Sequence, residues 1–173
     1  METPATPPED APAVLPPASR GPISYKTFRR LMDDAAAVAT ADSAPVLVVV
    51  ALDGLDERRD DVLLSAIGWQ FCEVVGDGGM VCRLGSARLA VMAASDGPLS
   101  DDALATGLLG TLMRPMIGHK LPQGARMGIV HWGRHGSTAE ALFAAAGYAL
   151  RDATAAPVAP PGERRKARLI RLS

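Results

Sequence analysis

Aromatic side chains are scarce in this chain, with 2 Trp, 2 Tyr and 3 Phe making up 4 % of its 173 residues. Platforms that stack the bases of single-stranded nucleic acid need exposed aromatics, and few are available here. An excess of one charge sign is also missing. The 18 Lys and Arg against 19 Asp and Glu leave a formal net charge of −1, which argues against general nucleic-acid binding. Cys72 and Cys82 are the only cysteines. They make neither a disulfide framework nor a four-ligand zinc set, and each sits in an apolar pattern that marks a small core residue. Long hydrophobic runs are absent as well. The strongest, Pro45 to Leu52, falls far short of the ~20 residues a membrane-spanning helix needs. Met1-Glu2-Thr3-Pro4-Ala5 has neither a basic nor an apolar secretory character. A cytoplasmic location without membrane contact is therefore expected.

The hydrophobic share of 48 % is that of a folded chain. The length fits one domain with tails, at roughly 100–200 residues per domain. Residues 1–22 are rich in Pro and Ala and read as a disordered lead. A domain follows over residues 23–153. Residues 154–173 combine a Pro-rich link with a basic tail.

Within the domain, Phe28, Leu31, Met32 and Ala35 recur at helical spacing and predict a helix from Tyr25 to about Ala41. Val46 to Leu52 is a continuous apolar, largely β-branched run, as in a central strand buried on both faces. Asp53 to Asp61 is a charged turn. Val62 to Val75 reads as a second helix, with Leu63, Ile67, Trp69, Phe71 and Val74 as its apolar contacts. It is ended by Gly76-Asp77-Gly78-Gly79. Met80–Leu84 and Leu89–Ala93 form a hairpin across Gly85-Ser86-Ala87-Arg88. Ser100 caps a third helix running to about Met113. Ala125 to His131 is a strand. Ser137-Thr138-Ala139-Glu140 reads as a capping box with the serine at the cap, opening a helix that carries Leu142, Phe143, Ala146 and Leu150. The order implies an α/β domain with a mixed, mostly antiparallel sheet and helices on both faces.

The tail cations Arg164, Arg165, Lys166, Arg168 and Arg171 allow two readings. One is an electrostatic contact with acidic partners or nucleic acid. The favoured one is a final edge strand, because Leu169 and Ile170 interrupt the charge with short period. His131 and His135 lie four apart, but Gly133 and Gly136 make the segment a loop and no third ligand is evident for zinc.

Several phrases in this order resemble the GGDEF domain of diguanylate cyclases, over about Ile23 to Ala153. Cys82-Arg83-Leu84-Gly85-Ser86-Ala87-Arg88-Leu89 sits where that family has its Arg-x-Gly-Gly-(Asp/Glu)-Glu-Phe hairpin. Val48 to Asp53 resembles its first strand, Met127-Gly128-Ile129-Val130 a later one, and Ala139 to Leu150 its late helix. The resemblance implies a single GGDEF-type, nucleotidyl cyclase-like domain in cyclic di-GMP signalling.

The family joins two GTP molecules with Mg²⁺ held by carboxylates. The resemblance puts Ala51 and Ala87 on those two positions, and neither side chain offers an oxygen. Arg88 replaces the next signature acid, Ser86 the second signature glycine, and Leu89 ends the motif. Gly85 is retained. Asp53 is the one family acid kept near the site and, two residues from Ala51, shares its strand face. The guanine-contacting segment is filled by Asp56-Glu57-Arg58-Arg59-Asp60-Asp61, without an Asn, and Asp56 stands where a Lys is usual. Gly147 and Arg151 depart from the late-helix pattern. Gly76-Asp77-Gly78-Gly79 lacks the arginine of the product-feedback site.

The expectation is a catalytically inactive GGDEF-like domain acting through a protein partner, with no cofactor and no metal. Arg88 is a candidate phosphate contact, weighed against a solvated hairpin arginine. The alternatives are an active or residual diguanylate cyclase, which would need Mg²⁺ and a homodimer, and a non-catalytic module binding GTP or cyclic di-GMP.

Overall fold

A computed structural model of the chain describes residues 21–40, 44–93, 100–112, 122–155 and 168–171. The Pro-rich lead before residue 21, His119, the link after residue 155 and most of the tail lie outside the described residues. The elements in order are α1 (Tyr25–Val38), β1 (Val46–Asp53), α2 (Asp61–Val75), β2 (Met80–Gly85), β3 (Arg88–Ala93), α3 (Asp101–Leu112), β4 (Gly124–His131), α4 (Ala139–Ala155) and β5 (Arg168–Arg171).

β1 lies at the centre of a five-stranded sheet of order β2-β3-β1-β4-β5. It runs antiparallel to both neighbours, pairing Val48 with Val91 on one side and with Ile129 on the other. β5 adds at the edge, parallel to β4. The sheet is thus mixed and mostly antiparallel.

Alternation along β1 sends its side chains to two cores. Val46, Val48, Val50 and Leu52 pack with Leu63, Leu64, Ile67 and Phe71 of α2 and Leu104 and Leu108 of α3. Leu47, Val49 and Ala51 pack with Phe28 and Met32 of α1 and Leu142 and Ala146 of α4. Helices therefore cover both faces, and a strand apolar on both sides is what that requires. Among the described residues, no helix is long and apolar enough to cross a membrane.

Three local expectations are corrected. Trp69 does not join the core. It is 51 % exposed, because Leu63, Leu64, Ile67, Gly68 and Phe71 define the inner face of α2 and residue 69 falls outside that stripe. The cap of α4 is Thr138, not Ser137: the Thr138 hydroxyl accepts the Ala141 N–H at 3.2 Å. This puts Glu140 one position too early for a reciprocal capping box. Helix α1 ends at Val38, short of Ala41, because Ala39 turns to an extended conformation with φ −66° and ψ 133°.

The Ser100 cap forms, its hydroxyl accepting the Ala103 N–H at 3.3 Å. Both cysteines are free, and burial raises both thiols, Cys82 up to about 12.

Helix α4 approaches β4 closely at Gly128. A Cβ there would lie 2.8 Å from the Ala146 carbonyl oxygen and 3.1 Å from the Ala149 Cβ. Gly128→Val is expected to cost about 2 kcal/mol by overpacking. A urea-unfolding midpoint equal to that of the unmodified chain would contradict this packing.

Candidate functional site

The distinctive geometry lies where the β2–β3 hairpin meets the end of β1. Gly85, Ser86 and Ala87 all have positive φ, at 82°, 51° and 53°. Left-handed backbone at both central residues is what a tight two-residue hairpin turn needs, because it matches the strand twist. Glycine adopts this conformation freely, whereas Ser86 and Ala87 do so against the clash of Cβ with the backbone. The register shift between Arg83 and Gly85 adds a bulge beside the turn.

Two contacts hold the turn in place. The Ala87 carbonyl accepts the Leu52 N–H at 3.0 Å, and the Ala87 methyl is buried in the α2/α3 core. On the other side, the Ser86 N–H donates to Glu57 Oε2 at 2.8 Å. Gly85 lies directly under that carboxylate, since a Cβ built on it would be 3.4 Å from Glu57 Oε1.

At the end of β1, Ala51 pairs with Arg88 on β3 and with Arg126 on β4. Residues opposite one another across strands share a face, so an alanine sits between two guanidinium-bearing residues. Arg126 reaches Asp53, with Nη2 2.6 Å from Oδ1. Arg88 is exposed, and its side chain makes no hydrogen bond or ion pair among the described residues. It borders a hollow of about 360 Å³ between α1 and α4, walled by Tyr25, Phe143, Gly147 and Leu150.

The charged turn between β1 and α2 is held partly by its own acids. The Asp56 carboxylate accepts the N–H groups of Arg58 and Arg59 at 3.0 and 2.9 Å. The Arg59 and Arg58 N–H groups hold its carboxyl below the usual carboxylate range. Asp60 accepts the Asp56 N–H at 2.8 Å, and Asp61 pairs with Arg83 at 2.6 Å.

The two histidines do not converge on one point. His131 Nε2 lies 2.9 Å from Asp101 Oδ2, while His135 Nδ1 accepts the His131 backbone N–H at 2.9 Å. Among the described residues, no group of three or more His, Cys, Asp or Glu is placed to hold a metal ion.

Comparison with solved structures gives this arrangement a context. A sensory box/GGDEF family protein from Caulobacter crescentus is similar over 78 % of this chain and 94 % of that one, with a TM-score of 0.63 and 24 % identity. The FimX GGDEF domain from Pseudomonas aeruginosa has a TM-score of 0.64 and 20 % identity over 85 % and 94 %. The fold is that of a GGDEF domain. The coiled coil and GGDEF domain of DgcB from Caulobacter crescentus, solved with cyclic di-GMP, is similar at 0.59 and 14 % over 87 % and 82 %. No family model matches the sequence, and no curated protein does.

Within this GGDEF fold, Gly85, Ser86, Ala87, Arg88 and Leu89 occupy the β2–β3 turn and the start of β3. Ala51 and Ala87 come close through backbone, since Leu52 bonds to Ala87, yet their methyl groups belong to opposite cores. Asp53 is brought to Arg126 instead. Sequence reasoning missed Arg126 and Glu57. A lone charge in the run Gly124 to His131 was the available sign for Arg126. Glu57 is separated from Ser86 by 29 residues and carries no local signal.

Ser86→Gly removes the Cβ clash of a left-handed residue and is expected to stabilise the chain by about 1 kcal/mol. Ala87→Gly relieves the same clash but loses a buried methyl, so its gain is smaller. Urea unfolding reads both, and a destabilised Ser86→Gly would show that the turn is not strained.

Proposed function

We propose that this chain is a catalytically inactive GGDEF-fold domain that acts in regulation or signalling by contacting a partner protein through its β2–β3 hairpin. One observation carries the reading: Ala51, at the end of β1, lies in register between Arg88 and Arg126. GGDEF chemistry needs carboxylate oxygens around a hard divalent cation, and phosphoryl transfer depends on that charge. This corner offers Asp53 alone from β1, and Asp53 is bound to Arg126. Ala87 turns its methyl into the core, and Arg88 brings a permanent positive charge. The residues present do not fit Mg²⁺. Asp53 is neutralised by a guanidinium, Glu57 is taken up by the Ser86 N–H, and adjacent cations repel a metal.

The contact half of the reading rests on exposure and rigidity. Arg88 stands at the start of β3, beside a turn fixed from two sides, and is free to pair with a carboxylate. The similarity to the DgcB domain, solved with cyclic di-GMP, leaves binding of that dinucleotide as a separate outcome to measure.

Incubation with GTP and Mg²⁺ followed by chromatography is expected to yield no cyclic di-GMP. Product formation would overturn the reading. Affinity capture with the unmodified chain and with Arg88→Glu is expected to retain proteins only on the former. Identical retention on both would remove the hairpin as the contact.

A further inference from the structure

The hollow between α1 and α4 has an apolar interior and a mixed rim. Val49 of β1 and Leu150 of α4 are buried in it, and Leu84 and Phe143 are half-buried beside them. Tyr25 and Arg88 stand exposed. The Tyr25 and Phe143 rings lie 5.6 Å apart between centroids, and Phe143 leans on the buried Phe28 at 6.2 Å. The aromatic wall is therefore held from behind by the core. Gly147 keeps the α4 side open, since a Cβ built on it meets nothing within 4 Å. Glycine inside a helix costs stability that alanine would not, and the adjoining turns of α4 carry Ala144, Ala145, Ala146 and Ala149.

Charge narrows what fits. Of the residues that line the hollow, Arg83 and Arg88 are cations and none is an acid. Arg83 pairs with Asp61 at 2.6 Å, and Asp53, which shares the Ala51 face of β1, pairs with Arg126. The Arg88 guanidinium is left to face a ligand.

We propose that this hollow seats a segment of a partner protein that carries an aromatic side chain beside a carboxylate, the ring entering against Phe143 and Leu150 and the carboxylate pairing with Arg88. The inference rests on the reading of the hairpin as a protein contact, and names what the partner brings to it. A volume of about 360 Å³ is at the small end for a ligand pocket, and with Tyr25 and Arg88 exposed it suits one side chain reaching in better than an enclosed small molecule. Arginine and tyrosine around an apolar recess are the residue types that dominate binding at protein interfaces. The paired carboxylate fixes the direction of the segment, and burial of the ring supplies affinity.

The test is an NMR titration of backbone amides in the full chain with acetyl-Asp-Phe-amide, without nucleotide or metal. Shifts are expected at Tyr25, Phe143 and Gly147. Acetyl-Asn-Phe-amide, which lacks the charge, and acetyl-Asp-Ala-amide, which lacks the ring, should each bind about tenfold more weakly. Arg88→Ala should bring the Asp peptide down to the level of the Asn peptide. Gly147→Leu fills the hollow from its open wall and should weaken binding about tenfold without lowering the melting temperature, because leucine favours helix. Equal binding of all three peptides would overturn the proposal, as would unchanged binding by a folded Gly147→Leu. Should that variant fail to fold, the shift map of the unmodified chain decides, and changes confined to other residues would overturn it. Affinity capture that depends on Arg88 while the Asp peptide does not bind would leave the hairpin contact standing and remove the hollow from it.

Discussion

Burial of β1 on both faces is the constraint from which the rest of the architecture follows. A strand that is apolar at every position from Val46 to Leu52 cannot leave either side in water. At about 25 cal/mol per Å² of apolar surface, exposing one face would cost more than most domains hold in reserve. Two helix pairs are therefore required, α2 with α3 on one side and α1 with α4 on the other. Both hydrogen-bonding edges of β1 must also be filled, and β3 and β4 fill them. The end of β1 is thus surrounded before any chemistry is considered.

That enclosure makes charge at the end of β1 a matter of local pairing. Ala51 offers none. Asp53 meets Arg126, Asp61 meets Arg83, and Glu57 meets the backbone of Ser86. Each of these three acids has a partner within the fold, while Arg88 has none among the described residues. A site that must bind a cation keeps carboxylates uncommitted and close together. This corner does the opposite: it commits its acids internally and leaves a cation outward. On the proposed reading, the arrangement serves recognition of an acidic group on another molecule.

How much of this was legible in the sequence depended on the range of each interaction. The β1 run, the hairpin glycine and the helix periodicities are local, and they marked the elements within a few residues. Ser100 was readable as a cap because the cap bond spans three residues. Thr138 was confused with Ser137 because both can cap, and only the helix start distinguishes them. Trp69 read as core because large aromatics are usually inside, but the stripe of α2 was already filled by Leu63, Ile67 and Phe71. Arg126 with Asp53, and Glu57 with Ser86, pair residues 73 and 29 apart, and only the sheet brings them together. The composition of the corner could be read, but its pairing could not.

The turn itself shows why Glu57 is part of the design and not a passing contact. Ser86 and Ala87 sit in left-handed backbone at a cost of roughly 1–2 kcal/mol each, at positions where glycine would cost nothing. Such strain persists only where surrounding structure over-determines it. Burial of the Ala87 methyl and the Leu52 bond account for one residue. For Ser86, whose side chain is exposed, the compensating contact is the charge-assisted bond to Glu57. The latch and the strain therefore explain each other. A pair of glycines would turn without help. A serine and an alanine turn only while the β1 end and Glu57 hold them.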